Sequence, residues 1–289
     1  MAGLLSGLDQ LGLGNLENAS IFEQPKKMEA VRKEVVEEKP VNTVKEQDYL
    51  FDKTQTCPIC DMEFKAKTVK AGKAKLVATD MDLRPKYENI DMIKYDIISC
   101  PNCGYSALSR FFKFLTSPQA KLIKFHICQV YKPKDFEPEF YSYEEALERY
   151  KLTLANAIVK QAKPSEKAYI CLKASWLLRG YLETMNTSDK DYEAKKKEAI
   201  EAEDEFAKNA LEGFLNARQI ESFPMNGMDE PTVDHIIAAL AMRFEQYDIA
   251  ARLVSSVLNS GAANPRMKDK ARELKNELLI KIKAQRDKG

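Results

Sequence analysis

Two Cys-x-x-Cys pairs, Cys57 with Cys60 and Cys100 with Cys103, restrict this chain more than any other feature. In TCPICDM and SCPNCGY each pair sits on a tight turn, where both sulfurs can point at one ion while the following backbone amides donate hydrogen bonds to them. Two such knuckles make a tetrahedral, all-thiolate site. The residue after each second cysteine often needs positive φ. Gly104 adopts it freely, and Asp61 is among the few non-glycine residues that tolerate it. The expectation is one structural zinc ion held by Cys57, Cys60, Cys100 and Cys103. Soft thiolates favour zinc or iron–sulfur, iron–sulfur ligands are spaced differently, and four cysteines close the coordination sphere that a catalytic zinc keeps open. The 39 residues between Cys60 and Cys100 exceed the usual zinc-ribbon spacing, so the connecting hairpin is expected to be enlarged into extra strands.

Export would put these thiols at risk of disulfide pairing, but residues 1–16 lack a basic segment and a small-residue cleavage site and already carry Asp9. A cytoplasmic location is the expectation. The most apolar stretch, 168–178, is interrupted by Lys173 and falls short of the roughly 18 residues that span a bilayer, so no membrane span is expected. With Lys+Arg 45 against Asp+Glu 44, the net charge of +1 supplies no global field for nucleic acid or anionic membrane, and any such contact must come from a local patch.

Three regions follow along the 289 residues. Residues 1–46 form a leader: a Gly/Leu-rich piece, with Leu4, Leu5, Leu8, Leu11 and Leu13 able to make an apolar helical face, then a charged piece free of aromatics that is expected to be disordered. A short docking motif in the first piece is an alternative to a floppy terminus. Residues 47–110 carry short strand-like runs at 68–69, 75–78 and 93–99, separated by Gly72, Pro85 and Asn89, and read as a small antiparallel sheet. Residues 111–289 turn helical. Ser142 and Glu145 make a capping-box signature before an amphipathic helix. A helix over 165–182 is apolar on most sides and should be central, and another spans 189–218. After the loop ESFPMNGMDEP come helices at 233–244, 247–258 and 265–283, with Asn264 and Pro265 as N-cap and N1 and Gly261 placed to end the helix before. The first two of these, with small residues Ala238, Ala241 and Ala250, resemble one tetratricopeptide unit without a clean repeat period. The fold class is therefore α+β, mostly α: a small antiparallel zinc-ribbon sheet followed by an irregular helical-repeat, TPR-like domain.

Beyond the four cysteines, candidate residues are fewer. Cys128 and Cys171 read as small core residues and His126 and His235 as structural or surface residues, and no hydrolytic triad can be built from two histidines. Lys65, Lys67, Lys70, Lys73 and Lys75 form a basic run that either tracks a phosphate backbone or guards a strand edge. Asp80 and Asp82, expected on one face of a strand, either serve a site or bind Arg84 and nearby amides.

The combination of the two knuckles, Asp80-Met81-Asp82 with Tyr87 and Tyr95, and the loop at Gly227, Met228, Asp229 and Glu230 resembles an uncharacterised family of Gram-positive bacterial proteins, a domain of unknown function described as zinc-ribbon-like with tetratricopeptide-like helices. The likeness runs from about residue 49 to the C-terminus and departs near Arg84, where it implies an additional cysteine. It implies the architecture and no activity. Three functions stay open: an adaptor whose helical groove binds a protein partner, a nucleic-acid binder using the ribbon lysines, and an enzyme using Asp80 and Asp82.

Overall fold

Among the described residues, 45–133 and 138–287 of a computed structural model, six short strands pair as three separate antiparallel ladders, and helices follow. The expected α+β, mainly α class holds, and the single small sheet is corrected to three hairpins. β1 (Leu50–Thr56) pairs with β2 (Glu63–Val69) from Leu50 opposite Val69 to Thr56 opposite Glu63. β3 (Leu76–Thr79) pairs with β4 (Pro85–Tyr87), and β5 (Ile97–Ser99) with β6 (Ser106–Leu108). The extra length between the cysteine pairs is thus a complete additional hairpin. β1 escaped detection because only its Leu50 and Gln55 are buried, which leaves no alternating apolar signal. Pro85, read as a turn residue, opens β4, the first-residue position a strand tolerates for proline. The run expected over 93–99 divides into a 3-10 turn, Met92–Tyr95, and β5.

α1 (Ser117–Ile123) continues into a π-turn, Lys124–Cys128. α2 (Tyr143–Val159) begins at the expected capping box: Glu145 N donates to Ser142 Oγ (3.1 Å) and Ser142 N to Glu145 Oε2 (2.8 Å). α3 (Pro164–Thr184) is the central helix, packed chiefly on α4 (Tyr192–Ile220) and also on α2. It lacks a cap of its own. Glu221, just past α4, supplies one by accepting from Ser165 N (2.9 Å) and Ser165 Oγ (2.6 Å), while Asn226 Nδ2 donates to Ser165 O. The ESFPMNGMDEP loop is therefore a staple on the start of α3, and Arg110 holds it from the other side by donating to Asn226 O.

α5 (Glu230–Arg243), α6 (Tyr247–Asn259) and α7 (Pro265–Arg286) complete the chain. The link at 244–246 turns through Glu245 at φ 59°, and Ala238, Ala241 and Ala250 are buried. Asn264 caps α7 with Pro265 at its first turn, as its sequence signature indicates. Gly261 does not end α6. Ser260 takes the C-cap in extended conformation, and the glycine lies one residue beyond. No helix among the described residues is long and apolar enough to cross a membrane. The Leu-rich face at Leu4, Leu5, Leu8, Leu11 and Leu13 and the charged leader up to residue 44 lie outside the described residues.

The main core joins α3, α4 and α5 to Ile93, Tyr95, Ile97 and Leu108 of the hairpin region. A second, smaller core surrounds the cysteines and recruits Phe112 and Ile123, with the Phe112 ring 5.0 Å from Tyr105 and 6.0 Å from Phe64. Gly180 of α3 sits tightly against its neighbours: a Cβ there would stand 2.5 Å from Asp91 Oδ2 and 3.0 Å from the Tyr143 hydroxyl. Gly180→Ala is therefore expected to destabilise the fold by about 1–3 kcal/mol despite the better helix propensity of alanine, as overpacking outweighs it. Urea unfolding measures this, and a stabilised variant would show that the site yields freely.

Candidate metal centre

Each cysteine pair forms the turn of one hairpin. Cys57 and Cys60 link β1 to β2, and Cys100 and Cys103 link β5 to β6. The two turns have the same hydrogen bonds. Cys57 N donates to Met62 O (3.0 Å) and Asp61 N to Cys57 O (3.0 Å). In the second turn Cys100 N donates to Tyr105 O (2.8 Å) and Gly104 N to Cys100 O (3.1 Å). Closing the turn this way requires left-handed backbone after the second cysteine, and Asp61 (φ 59°) and Gly104 (φ 72°) supply it. The two residue types met twice in the sequence thus do the same job twice.

The turns face each other so that the four sulfurs lie within 4.8 Å of one another, an arrangement that can hold a metal ion. Cys57 Sγ is 3.6 Å from Cys103 Sγ, and Cys60 Sγ is 3.7 Å from Cys100 Sγ. All four are free thiols. Cys57, Cys100 and Cys103 are buried and Cys60 is half-buried. Ile59 N points at Cys57 Sγ (3.4 Å) and Asn102 Nδ2 at Cys60 Sγ (3.6 Å), so the surrounding dipoles favour negative charge on sulfur. Hydrogen bonds from Cys103 and Cys57 pull the Cys100 thiol well below its ordinary range. From beneath, the fully buried Asn156 of α2 donates to Gly104 O (3.0 Å), and a hydroxyl chain runs from Ser99 through Ser106 to Thr153. The second knuckle is therefore fixed to a helix rather than carried on a free loop.

Asp80 and Asp82 lie in the turn between β3 and β4, not on a strand, because Leu83 at φ 70° reverses the chain there. Both carboxylates are brought to the same partner all the same. Arg179 of α3 donates to Asp80 Oδ2 (3.3 Å) and, through its other terminal nitrogen, to Asp82 Oδ2, which also accepts from Trp176 Nε1 (2.9 Å). Arg84 forks onto Glu183 with two bonds of 2.9 Å, and Lys86 adds a third of 2.8 Å. These cations hold the Glu183 carboxyl down at about 2. Arg243 forks onto Glu203, which lies 3.5 Å from Arg179 Nε. His235, 1% exposed, meets Met81 O at 2.9 Å. A carbonyl can only accept, so Nε2 carries the proton, and burial keeps the ring pKa below its usual value. Lys270 of α7 donates to Thr79 Oγ1 (2.6 Å). The β3–β4 turn is thereby clamped to α3, α5 and α7. The roles of Trp176, Arg179 and Glu183 were not legible in the sequence, since nothing local signals a partner 94 to 99 residues away, whereas His235, read as structural or surface, is buried and structural.

The five lysines do not share one environment. Lys67 pairs with Asp52 (2.7 Å), Lys70 donates to Asp48 O (2.9 Å), Lys75 is 4.0 Å from Glu88, and Lys65 and Lys73 are exposed. Of the other cysteines, Cys171 is buried in the main core, where desolvation pushes its thiol up to about 12, while Cys128 is half-buried against the cysteine cluster. His126 is exposed, edge-on to Phe125.

The sequence model of a family described as uncharacterized protein conserved in bacteria (DUF2225) matches residues 50–278. No curated protein and no solved structure matches the chain. The chain belongs to that bacterial family, which agrees with the resemblance seen in its motifs.

Proposed function

We propose that this member of the bacterial family is a cytoplasmic adaptor in which one structural zinc ion, held by Cys57, Cys60, Cys100 and Cys103, locks two hairpins onto a helical body that binds a protein partner. The convergence of the four sulfurs carries the reading. A tetrahedron with zinc–sulfur bonds of about 2.3 Å has sulfur–sulfur edges of about 3.8 Å, close to the 3.6 and 3.7 Å separations here and far from the roughly 2.05 Å of a disulfide. Four thiolates use every position of such an ion, so its contribution is to folding and orientation rather than to chemistry on a substrate.

For the partner, we take the cavity of about 460 Å³ between α4 and α6, lined by the apolar Leu215, Ile249 and Leu253 and by Arg218, Gln219 and Arg252. An amphipathic helix or extended segment fits a groove of this composition. A photo-crosslinker at Gln219 is expected to give a discrete protein adduct in bacterial cytosol. The adduct should be lost in Ile249→Asp and Arg252→Glu variants that keep their metal and helix content. An adduct indifferent to both changes, or substrate turnover in a broad activity screen, overturns the adaptor reading. Steeply salt-dependent binding of an oligonucleotide, abolished by changing Lys70, Lys73 and Lys75 to Glu, would favour nucleic acid instead.

A further inference from the structure

α5 packs on both α4 and α6, and the cavity of about 460 Å³ lies between those two helices. Each wall is one helix face. Leu215 and Arg218 stand at i and i+3 on α4, and Ile249, Arg252, Leu253 and Ser256 at i, i+3, i+4 and i+7 on α6. The lining holds two cations and no acid. Arg218 donates from Nε (2.6 Å) and Nη2 (3.0 Å) to Asp234, a fully buried carboxylate of α5 that also accepts from Ser256 Oγ (2.9 Å). A longer bond runs from Nη2 to Glu230 (3.4 Å), and among the described residues Nη1 has no acceptor. One buried carboxylate thus ties α4, α5 and α6 together beside the groove and fixes the Arg218 guanidinium in place. Arg252 is exposed and makes no ion pair among the described residues, and the nearest acid in sequence is Asp248, one turn earlier on the same helix.

We infer that the partner segment taken by this groove is an acidic amphipathic helix, with leucine-sized side chains set between Leu215, Ile249 and Leu253, one carboxylate on Arg252 and a second on Arg218 Nη1. The inference rests on the adaptor reading above and adds the chemistry of the partner. A helix carries its apolar row at the same i, i+3, i+4 spacing as the walls, so the row can interlock with both of them. Guanidinium groups beside an apolar surface recognise carboxylates through paired N–H donors. A lysine or arginine on the incoming segment would meet like charge there, which selects against basic partners. Because Asp234 already holds Arg218, that contact loses less side-chain freedom on binding. The three apolar side chains among the arginines set this surface apart from a patch for a phosphate backbone, which calls for no apolar lining.

The test uses the full chain and two fluorescent helical peptides with leucines at i, i+3, i+4 and i+7. One carries glutamates beside the leucine row, and the other carries lysines at the same positions. Fluorescence anisotropy is expected to show the glutamate peptide binding on the order of tenfold more tightly than the lysine peptide. The difference should shrink as salt is added, and Arg252→Glu, with helix content unchanged, should reverse the order of the two. Equal binding of both peptides, or a preference that Arg252→Glu leaves untouched, overturns the inference while the groove stands as an apolar site. Binding of neither peptide overturns it as well, and the adduct at Gln219 then decides separately whether the adaptor reading survives. A dimer of the chain that Ile249→Asp dissociates would give the groove to a second copy and overturn the inference likewise.

Discussion

Changing Cys100 and Cys103 together to serine will reduce bound zinc from one ion per chain to none and unfold the two knuckles while α3 to α7 persist. The size of the effect follows from the metal. Structural zinc contributes on the order of 10 kcal/mol in small modules, comparable with the roughly 5–15 kcal/mol net stability of a whole domain. What remains around the cysteines is modest: Ile59, Phe64, Ile98, Tyr105, Phe112 and Ile123 are the large apolar side chains buried in that core. It has few means to hold four desolvated sulfurs together without a cation. The second hairpin will nevertheless stay near α2, because Asn156 and the Ser99, Ser106 and Thr153 hydroxyls do not depend on the ion. Hydrogen exchange should therefore show lost protection at the amides of Cys57, Asp61, Cys100 and Gly104, with much smaller changes in α3 and α5. Full retention of zinc by the double variant, or iron with visible absorbance in the wild type, would sink the assignment.

Asp82→Ala comes next in size. Asp82 is 7% exposed and accepts from Trp176 and Arg179, and the backbone amide of Arg84 approaches it at 3.4 Å. Its removal leaves the Trp176 indole N–H in a low-dielectric site without its acceptor, and the Arg179 guanidinium with only Asp80 and Glu203 as partners. Breaking a buried pair from one side typically costs about 3–5 kcal/mol, and the partial exposure of Arg179 places this case near the lower figure. Asp82→Asn keeps an acceptor for Trp176 but loses the charge and the acceptor for the Arg84 amide, so a smaller cost than for alanine, about 1–2 kcal/mol, is expected. Urea midpoints with unchanged slopes measure both, and zinc content should stay at one per chain in each. A cost below about 1 kcal/mol for the alanine variant would mean that the clamp between the β3–β4 turn and α3 does not hold the fold, and would return the carboxylates to the list of candidate functional groups.

The comparison of sequence with structure turns on the range of each signal. Cys57, Cys60, Cys100 and Cys103 were legible because a knuckle is complete within six residues, and its φ requirement selects Gly104 and Asp61 in the same window. The capping box at Ser142 and the Asn264-Pro265 start of α7 were legible for the same reason: a helix end is satisfied by neighbours three residues away. The central position of α3 followed from an apolar surface on nearly every side. Tertiary structure alone decided the rest. Asp82 with Trp176 is stable only once packing has removed water from both partners, and Arg84 with Glu183 once the guanidinium is buried, and no period in the chain encodes that. The position of Cys128 against the cysteine cluster depends on the small core that includes Phe112 and Ile123. Local rules fixed the two cysteine turns and the helix ends because hydrogen-bond geometry acts within a few residues. The clamp and the fifth thiol beside the cysteine cluster belong to the fold, because desolvation acts through space.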